Sequence, residues 1–285
     1  MAYQYLSAEN LYRFIESALA EDIGDGDHST LASIPAGQHG KAKLLVKSNG
    51  ILAGVDLAEI IFKQVDTGIS FEKLKQDGVP MHHGDIAFYV EGEVRTLLTC
   101  ERLVLNCMQR MSGIATYTRQ LTSMVAHTNV KLLDTRKTTP NFRIPEKWAV
   151  QIGGGVNHRF GLFDMIMLKD NHIDFAGGVQ QAIEKTQQYL HRTGRQLSIE
   201  VEARTLQDVQ DILDTGGVFR VLLDNMPVEM VKKAVDLVAG KIETEASGGI
   251  NEHNLVAMAE TGVDYVSLGA LTHSAKSLDL SLKAC

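Results

Sequence analysis

The sequence predicts an α/β protein: an N-terminal α+β layer followed by a parallel, barrel-like sheet with helices outside it. Three observations carry this prediction. From Gly40 to Val94, short runs that alternate in period two are separated by turn residues, as in a small sheet. After Asn129 the pattern becomes strand-then-helix, with apolar runs ending at Asp134, Leu168, Glu202, Asp224, Ala246 and Leu268, the last four 22 residues apart. Such alternation implies parallel strands joined by right-handed crossovers. Finally, no strand runs into G-x-G-x-x-G, and Gly153 to Gly155 do not directly follow an apolar run, so a barrel short of eight units fits better than a dinucleotide-binding sheet.

Taken in order, Asn10 to Ile23 predicts a helix, because Leu11, Phe14, Ile15, Ala18 and Leu19 share a face at 3.6 spacing. Asp25, Asp27 and Ser29 imitate a calcium loop, but Thr30 stands where that loop needs glycine and no glutamate closes it. Lys41 to Lys47, Ile69 to Lys75 and Gly84 to Val90 read as strands, and Val55 to Val65 as a short helix. His82-His83 lacks a third ligand nearby and reads as a solvated loop pair. A long helix follows from Leu97 to Ala126, with Leu103, Cys107, Met111, Ile114 and Tyr117 as its core stripe and Gly113 marking a kink or a close crossing. Arg102 and Arg110 on this helix read locally as solvated charges. The later helices are expected at Gly178 to Leu190, Leu206 to Thr215, Val228 to Val238 and Asn254 to Thr261. The domain boundary falls in the long helix, giving an N-terminal domain over 1–113 and a catalytic domain over 114–274, with the tail 275–285 packing back on the first.

A chain of 285 residues with 44% hydrophobic and 22% charged residues can bury a large core. No apolar run approaches the roughly 18 residues of a membrane span. Met1 to Leu19 is acidic and amphipathic, without the basic start of a signal peptide. Cys100, Cys107 and Cys285 have no metal spacing and read as reduced thiols in a cytoplasmic protein. A net charge of −7 argues against nucleic acid as partner, but not against small anions.

The chemistry is expected where the strands end, because a parallel barrel gathers the carboxyl ends of its strands on one face. The ends supply Arg136 and Lys137, then Lys169, Glu202, Asp224, Ser247-Gly248-Gly249 and Gly269, with His158-Arg159 between the first two strands. A cation cluster in an acidic chain calls for an anionic ligand. The two glycine loops at the last strand ends suit a phosphate, which backbone N–H groups can approach closely there. Glu202 and Asp224 would accept hydrogen bonds from sugar hydroxyls or hold Mg²⁺ through water.

These residues resemble the type II phosphoribosyltransferases, specifically the quinolinate phosphoribosyltransferase family. Asp134-Thr135-Arg136-Lys137-Thr138 is the most specific signature. It is followed in order by Gly153 to Gly155 with His158-Arg159, Leu168 to His172, Glu200-Val201-Glu202, Leu223-Asp224-Asn225, Ser247 to Ile250 and Ser267-Leu268-Gly269. Glu21 to Gly24 and Glu101-Arg102-Leu103 match in the N-terminal half. The resemblance implies an N-terminal α/β sandwich and an incomplete α/β barrel of about seven strands. It implies a dimer or larger assembly in which Arg102 reaches the partner subunit's site, while Arg110 matches nothing and stays a surface or packing residue.

The implied reaction joins quinolinate to phosphoribosyl pyrophosphate with Mg²⁺, giving nicotinate mononucleotide, pyrophosphate and CO₂ for NAD biosynthesis. By resemblance, Arg102, Arg136 and Arg159 would pair the two adjacent carboxylates, a task that suits forked guanidinium groups. Lys137 and Lys169 would act on pyrophosphate or carboxylate, and Glu202 and Asp224 on the ribose and metal side. Thr135, His158, Ser247, Gly248, Gly249, Ser267, Gly269 and Ala270 complete the substrate contacts. His158 is the tempting general base, but orienting a substrate or a neighbour suits it as well. Two departures stand out: Asn141 and Trp148 occupy positions where the pattern leads one to expect glycine and tyrosine. Side-chain alternation puts Glu200 and Glu202 on one face, and the one nearer the strand end is the better candidate. Three rival readings are a related transferase using another pyridine or aromatic acid, such as nicotinate, a Schiff-base barrel lyase using Lys169, and a catalytically silent barrel that binds a phosphorylated metabolite.

Overall fold

The computed structural model describes residues 4–285; the first three residues of the N-terminal stretch and of the expected first domain lie outside the described residues. The chain forms two interleaved compact units, one from residues 4–119, 137–154 and 271–285, the other from 120–136 and 155–270. The expected boundary at 113/114 falls inside the long helix. No helix among the described residues is long and apolar enough to cross a membrane.

In the first unit, helix α1 (Ala8–Ile23) buries Leu11 and Ile15, and the Ser7 hydroxyl caps it by accepting the Asn10 N–H at 3.3 Å. Helix α2 (His28–Ser33) was not expected; it explains the calcium-like aspartates, because Asp27 is its N-cap and accepts the Thr30 N–H at 3.1 Å. Then come β1 (His39–Val46), β2 (Gly50–Ile51), α3 (Val55–Val65), β3 (Ser70–Lys73), β4 (Pro80–Met81) and β5 (Ile86–Glu93). The last strand of the chain, Leu280–Ala284, pairs antiparallel with β1, Leu282 opposite Leu44, in a four-stranded sheet that β5 and β3 complete.

Helix α4 (Val94–Met124) buries Leu103, Cys107, Met111 and Ile114 as its stripe requires, while Tyr117 is half-buried. Gly113 marks a crossing, since a Cβ there would collide with the Lys276 carbonyl. Helix α5 (Arg143–Ile152) also belongs to this unit.

In the second unit, β6 (Lys131–Leu133), β7 (Ile166–Leu168), β8 (Ile199–Ala203), β9 (Arg220–Asp224), β10 (Glu243–Ser247) and β11 (Tyr265–Ser267) form one parallel sheet in the order β6-β11-β10-β9-β8-β7. Val156 adds a parallel bridge to Leu133 on the outer edge of β6, a rudimentary seventh strand. The strand ends are level: Ser247 pairs with Asp224, Ala203 with Leu223, Leu168 with Val201, and Ser267 with Leu133. Between strands run α6 (Asp170–Ala176), α7 (Val179–Thr193), α8 (Leu206–Thr215), α9 (Val228–Val238) and α10 (Leu255–Ala259), and α11 (Ala270–His273) follows the last strand. Burial of Val209 and Ile212 on α8, and of Val231 and Val238 on α9, stabilises this layer by about 1.5–3 kcal/mol per side chain. All five residues of β8 are buried, Glu200 and Glu202 included.

Candidate active site

At the end of β6, Asp134 is fully buried and accepts the Asn157 side-chain amide at 2.6 Å and the His158 N–H at 2.9 Å. This ties the 157–159 loop to the strand end and sets Arg159 beside it. Arg159 donates to the Met165 carbonyl at 3.1 Å. Burial, and then the like charge of Arg136, pull the Arg159 guanidinium below its ordinary pKa. Two arginines held where they repel each other can take up negative charge between them.

His158 does not face outward with them. Its ring is turned into the sheet interior, with Nε2 at 3.0 Å from Glu200 and 3.3 Å from Glu245. Its Nδ1 accepts the Arg159 N–H at 2.7 Å. Arg220 completes the cluster, 3.0 Å from Glu245 and 2.7 Å from Glu243. Burial raises the Glu200 carboxyl, while Glu245, though equally buried, is drawn down by His158 and Arg220. Burial opposes a second proton on the His158 ring and the two glutamates favour it. The Arg159 N–H needs the Nδ1 lone pair, so the ring holds a single proton, at Nε2, facing Glu200. A ring so held can orient its neighbour. Ser267, also expected to touch substrate, turns its hydroxyl onto Glu245.

On the other side of the mouth, Lys169 is exposed at the N-cap of α6, where its N–H donates to His172 Nδ1 at 3.0 Å. Glu202 accepts the Asp170 N–H at 3.3 Å. Burial, then the charges of Asp224 and Asp170, raise the Glu202 pKa. Acids that repel one another at strand ends fit a divalent cation, which would relieve the repulsion. Glu202 shares the strand-end face with Lys169 and Asp224, and Glu200 lies deeper with His158.

The glycine loops have the geometry of a cradle. Gly248 and Gly249 have φ of 94° and 62°, a region that favours glycine. A Cβ on Gly248 would lie 2.9 Å from the Asn225 backbone nitrogen. Gly269 precedes α11 directly, and Ala270 opens it.

Two expected site residues belong to the first unit. Arg102 is exposed on α4. Lys137, also exposed, begins a loop held by a clamp that sequence reasoning missed. Arg110 bonds Glu146 through two nitrogens at 3.1 and 3.0 Å and also donates to the carbonyls of Thr272 and Ala275. Glu146, fully buried, accepts the Thr139 N–H and hydroxyl at 3.0 and 2.9 Å, and the Thr272 hydroxyl donates to the Lys137 carbonyl at 2.9 Å. Arg110 is therefore a structural keystone of the Lys137–Thr139 loop and no solvated charge. Asn141, in place of the expected glycine, has φ of 60°, which asparagine tolerates better than most residues.

Two family models match in succession: quinolinate phosphoribosyl transferase, N-terminal domain, over residues 27–112, and its C-terminal domain over residues 114–283. The chain is 46% identical to the chloroplastic nicotinate-nucleotide pyrophosphorylase (carboxylating) of Oryza sativa subsp. japonica, covering 96% of this chain and 77% of that protein. It is 42% identical to the probable nicotinate-nucleotide pyrophosphorylase (carboxylating) of Bacillus subtilis, over 95% and 92% of the two chains. The crystal structure of NadC from Streptococcus pyogenes superposes with a TM-score of 0.89 at 39% identity, over 98% and 99%. The ordered motifs, the paired arginines behind Asp134 and these matches along both units agree that the chain belongs to the quinolinate phosphoribosyl transferase family.

Proposed function

We propose that this protein transfers the phosphoribosyl group of phosphoribosyl pyrophosphate to quinolinate with loss of CO₂, yielding nicotinate mononucleotide and pyrophosphate in NAD biosynthesis. The single observation that carries the reading is the Arg136–Arg159 pair, two like charges close enough for one to depress the other, with Arg159 set beside the strand end by the Asp134-anchored 157–159 loop. Each guanidinium takes one carboxylate of the diacid. Lys137 and Lys169, as point charges, take pyrophosphate or the carboxylate edge. The loops at Ser247 to Gly249 and Gly269-Ala270 take the 5′-phosphate through backbone N–H groups.

Glu202 and Asp224 face the ribose, where positive charge develops at the anomeric carbon as pyrophosphate leaves. Electrostatic stabilisation of that kind is commonly the largest catalytic contribution. Mg²⁺ bound there would supply a counter-charge for pyrophosphate, with Glu202 and Asp224 as its holders, directly or through water. Loss of CO₂ needs no dedicated base: once ribosylated, the ring nitrogen is cationic and stabilises the carbanion left at the adjacent carbon. The protein contributes positioning and exclusion of water.

The resemblance further supports a homodimer or larger assembly in which Arg102 acts in the partner subunit's site. The test of the reaction is direct: with Mg²⁺ and phosphoribosyl pyrophosphate, purified protein should release CO₂ and pyrophosphate in equal amounts from quinolinate. Release of either alone would overturn the coupled reaction.

A further inference from the structure

Four ionisable side chains meet inside the parallel sheet and take no part in the chemistry above: His158, Glu200, Glu245 and Arg220, each nine-tenths buried or more. Burying such a group is costly unless it is matched, so a cluster of four needs a reason. A metal site is one candidate, since His158, Glu200 and Glu245 bring ligand atoms within 4.8 Å of one another. Arg220 argues against it, because its guanidinium already places a full positive charge 3.0 Å from Glu245.

The geometry points instead to the site above it. Arg220 anchors Glu245; Glu245 and Glu200 share His158 Nε2; and His158 Nδ1 takes the backbone N–H of Arg159. The Arg159 N–H can be received only while Nδ1 keeps its lone pair, which requires the ring proton on Nε2. A carboxylate 3.0 Å from Nε2 favours the proton there, and the charge facing one imidazole nitrogen thereby decides the state of the other. Glu200 is the nearer acceptor and also favours the Arg159 cation across the same space.

We propose that Glu200 is a positioning residue. From inside the sheet it fixes the tautomer of His158, and through His158 it fixes Arg159 for the diacid. This rests on the reading of Arg159 as a carboxylate receptor. Glu200 touches neither substrate, so its influence should fall on quinolinate and spare phosphoribosyl pyrophosphate, whose phosphate loops lie on other strand ends.

The experiment has two arms. In the first, the ¹⁵N spectrum of histidine-labelled protein, with His158→Gln to identify the resonance, should show His158 protonated at Nε2 and bare at Nδ1. In Glu200→Leu that tautomer should cease to dominate. In the second, Glu200→Leu should raise the KM for quinolinate about ten- to a hundredfold, the range for groups that orient a ligand-binding residue from behind, with the KM for phosphoribosyl pyrophosphate within about twofold. Glu200→Gln, which keeps an acceptor without a charge, should recover most of that loss. A proton on Nδ1 in the unaltered protein, an unchanged tautomer in Glu200→Leu, or a rise of both KM values together would overturn the proposal. The first arm needs no variant of Glu200 for its primary reading and no substrate. A protein that shows the Nε2 tautomer but ignores quinolinate therefore sinks the assignment of the reaction, while the tautomer that Glu200 sets still stands.

Discussion

Replacing Arg110 by leucine should destabilise the protein by about 3 kcal/mol, at the lower end of the range for breaking a buried ion pair. The structure sets that magnitude. Glu146 is fully buried, so removing its partner strands a carboxylate away from water, with only the Thr139 N–H and hydroxyl left to it. The carbonyls of Thr272 and Ala275 lose a charged donor as well. The low end applies because the Arg110 side chain is 22% exposed and water can enter in its place. Urea unfolding followed by circular dichroism reads the change. Glu146→Leu combined with Arg110→Leu should recover part of the loss, because the stranded charge is then gone, and the coupling between the two sites should exceed about 1 kcal/mol. Since Thr272 also holds the Lys137 carbonyl, catalytic efficiency should fall in folded Arg110→Leu protein. A loss below about 1 kcal/mol, or strict additivity of the two substitutions, would refute the claim that this pair is the keystone of the Lys137–Thr139 loop.

Two further outcomes follow from the same structure. If Arg102 acts in the neighbouring subunit's site, Arg102→Ala and Lys169→Ala proteins, each inactive alone, should regain activity on mixing, and persistent inactivity despite demonstrated subunit exchange would remove that claim. Burial, then Asp224 and Asp170, hold Glu202 above its ordinary pKa. In the cation-free protein, then, the stability that Glu202 contributes is fully present below its unfolded pKa and is lost as pH rises through the raised value. A bound cation reverses that preference, so the Mg²⁺ concentration for half-maximal activity should rise as pH falls through the same range. Glu202→Gln should remove that pH dependence, and a Mg²⁺ requirement indifferent to pH in the unaltered protein would contradict it.

The parallel half of the fold was legible because its helices carry apolar residues at regular spacing between strands of constant interval; α8 and α9 run over the expected residues. Helix α5 was not legible, for the opposite reason. Glu146 and Lys147 stand fully buried on it, and Pro145 lies in its first turn, so no apolar stripe marks it in the sequence. The strand-end residues could be listed from the motifs and the level register that a parallel sheet imposes. Their depth could not. Period-two alternation puts Glu200 and Glu202 on one face, yet only the position of His158 shows that Glu200 lies deep beside its ring while Glu202 meets the Asp170 N–H at the strand end. For Arg110 the packing alternative held and the local reading as a solvated charge did not, because its partners, Glu146, Thr272 and Ala275, lie far along the chain and nothing in α4 itself distinguishes a buried pair from a solvated charge. Asn141 is the reverse case: glycine was expected there from the family pattern alone, and the positive φ supplies the conformational reason for it.

The central claim is that Arg136 and Arg159 together read a diacid. It is tested most directly by offering the enzyme quinolinate and nicotinate separately, each with Mg²⁺ and phosphoribosyl pyrophosphate. The quinolinate should be labelled in the carboxyl group next to the ring nitrogen. The account predicts turnover of quinolinate with release of the label as CO₂, and little turnover of nicotinate, which lacks the second carboxylate. Comparable turnover of nicotinate, or consumption of quinolinate with the label retained in the product, would contradict it.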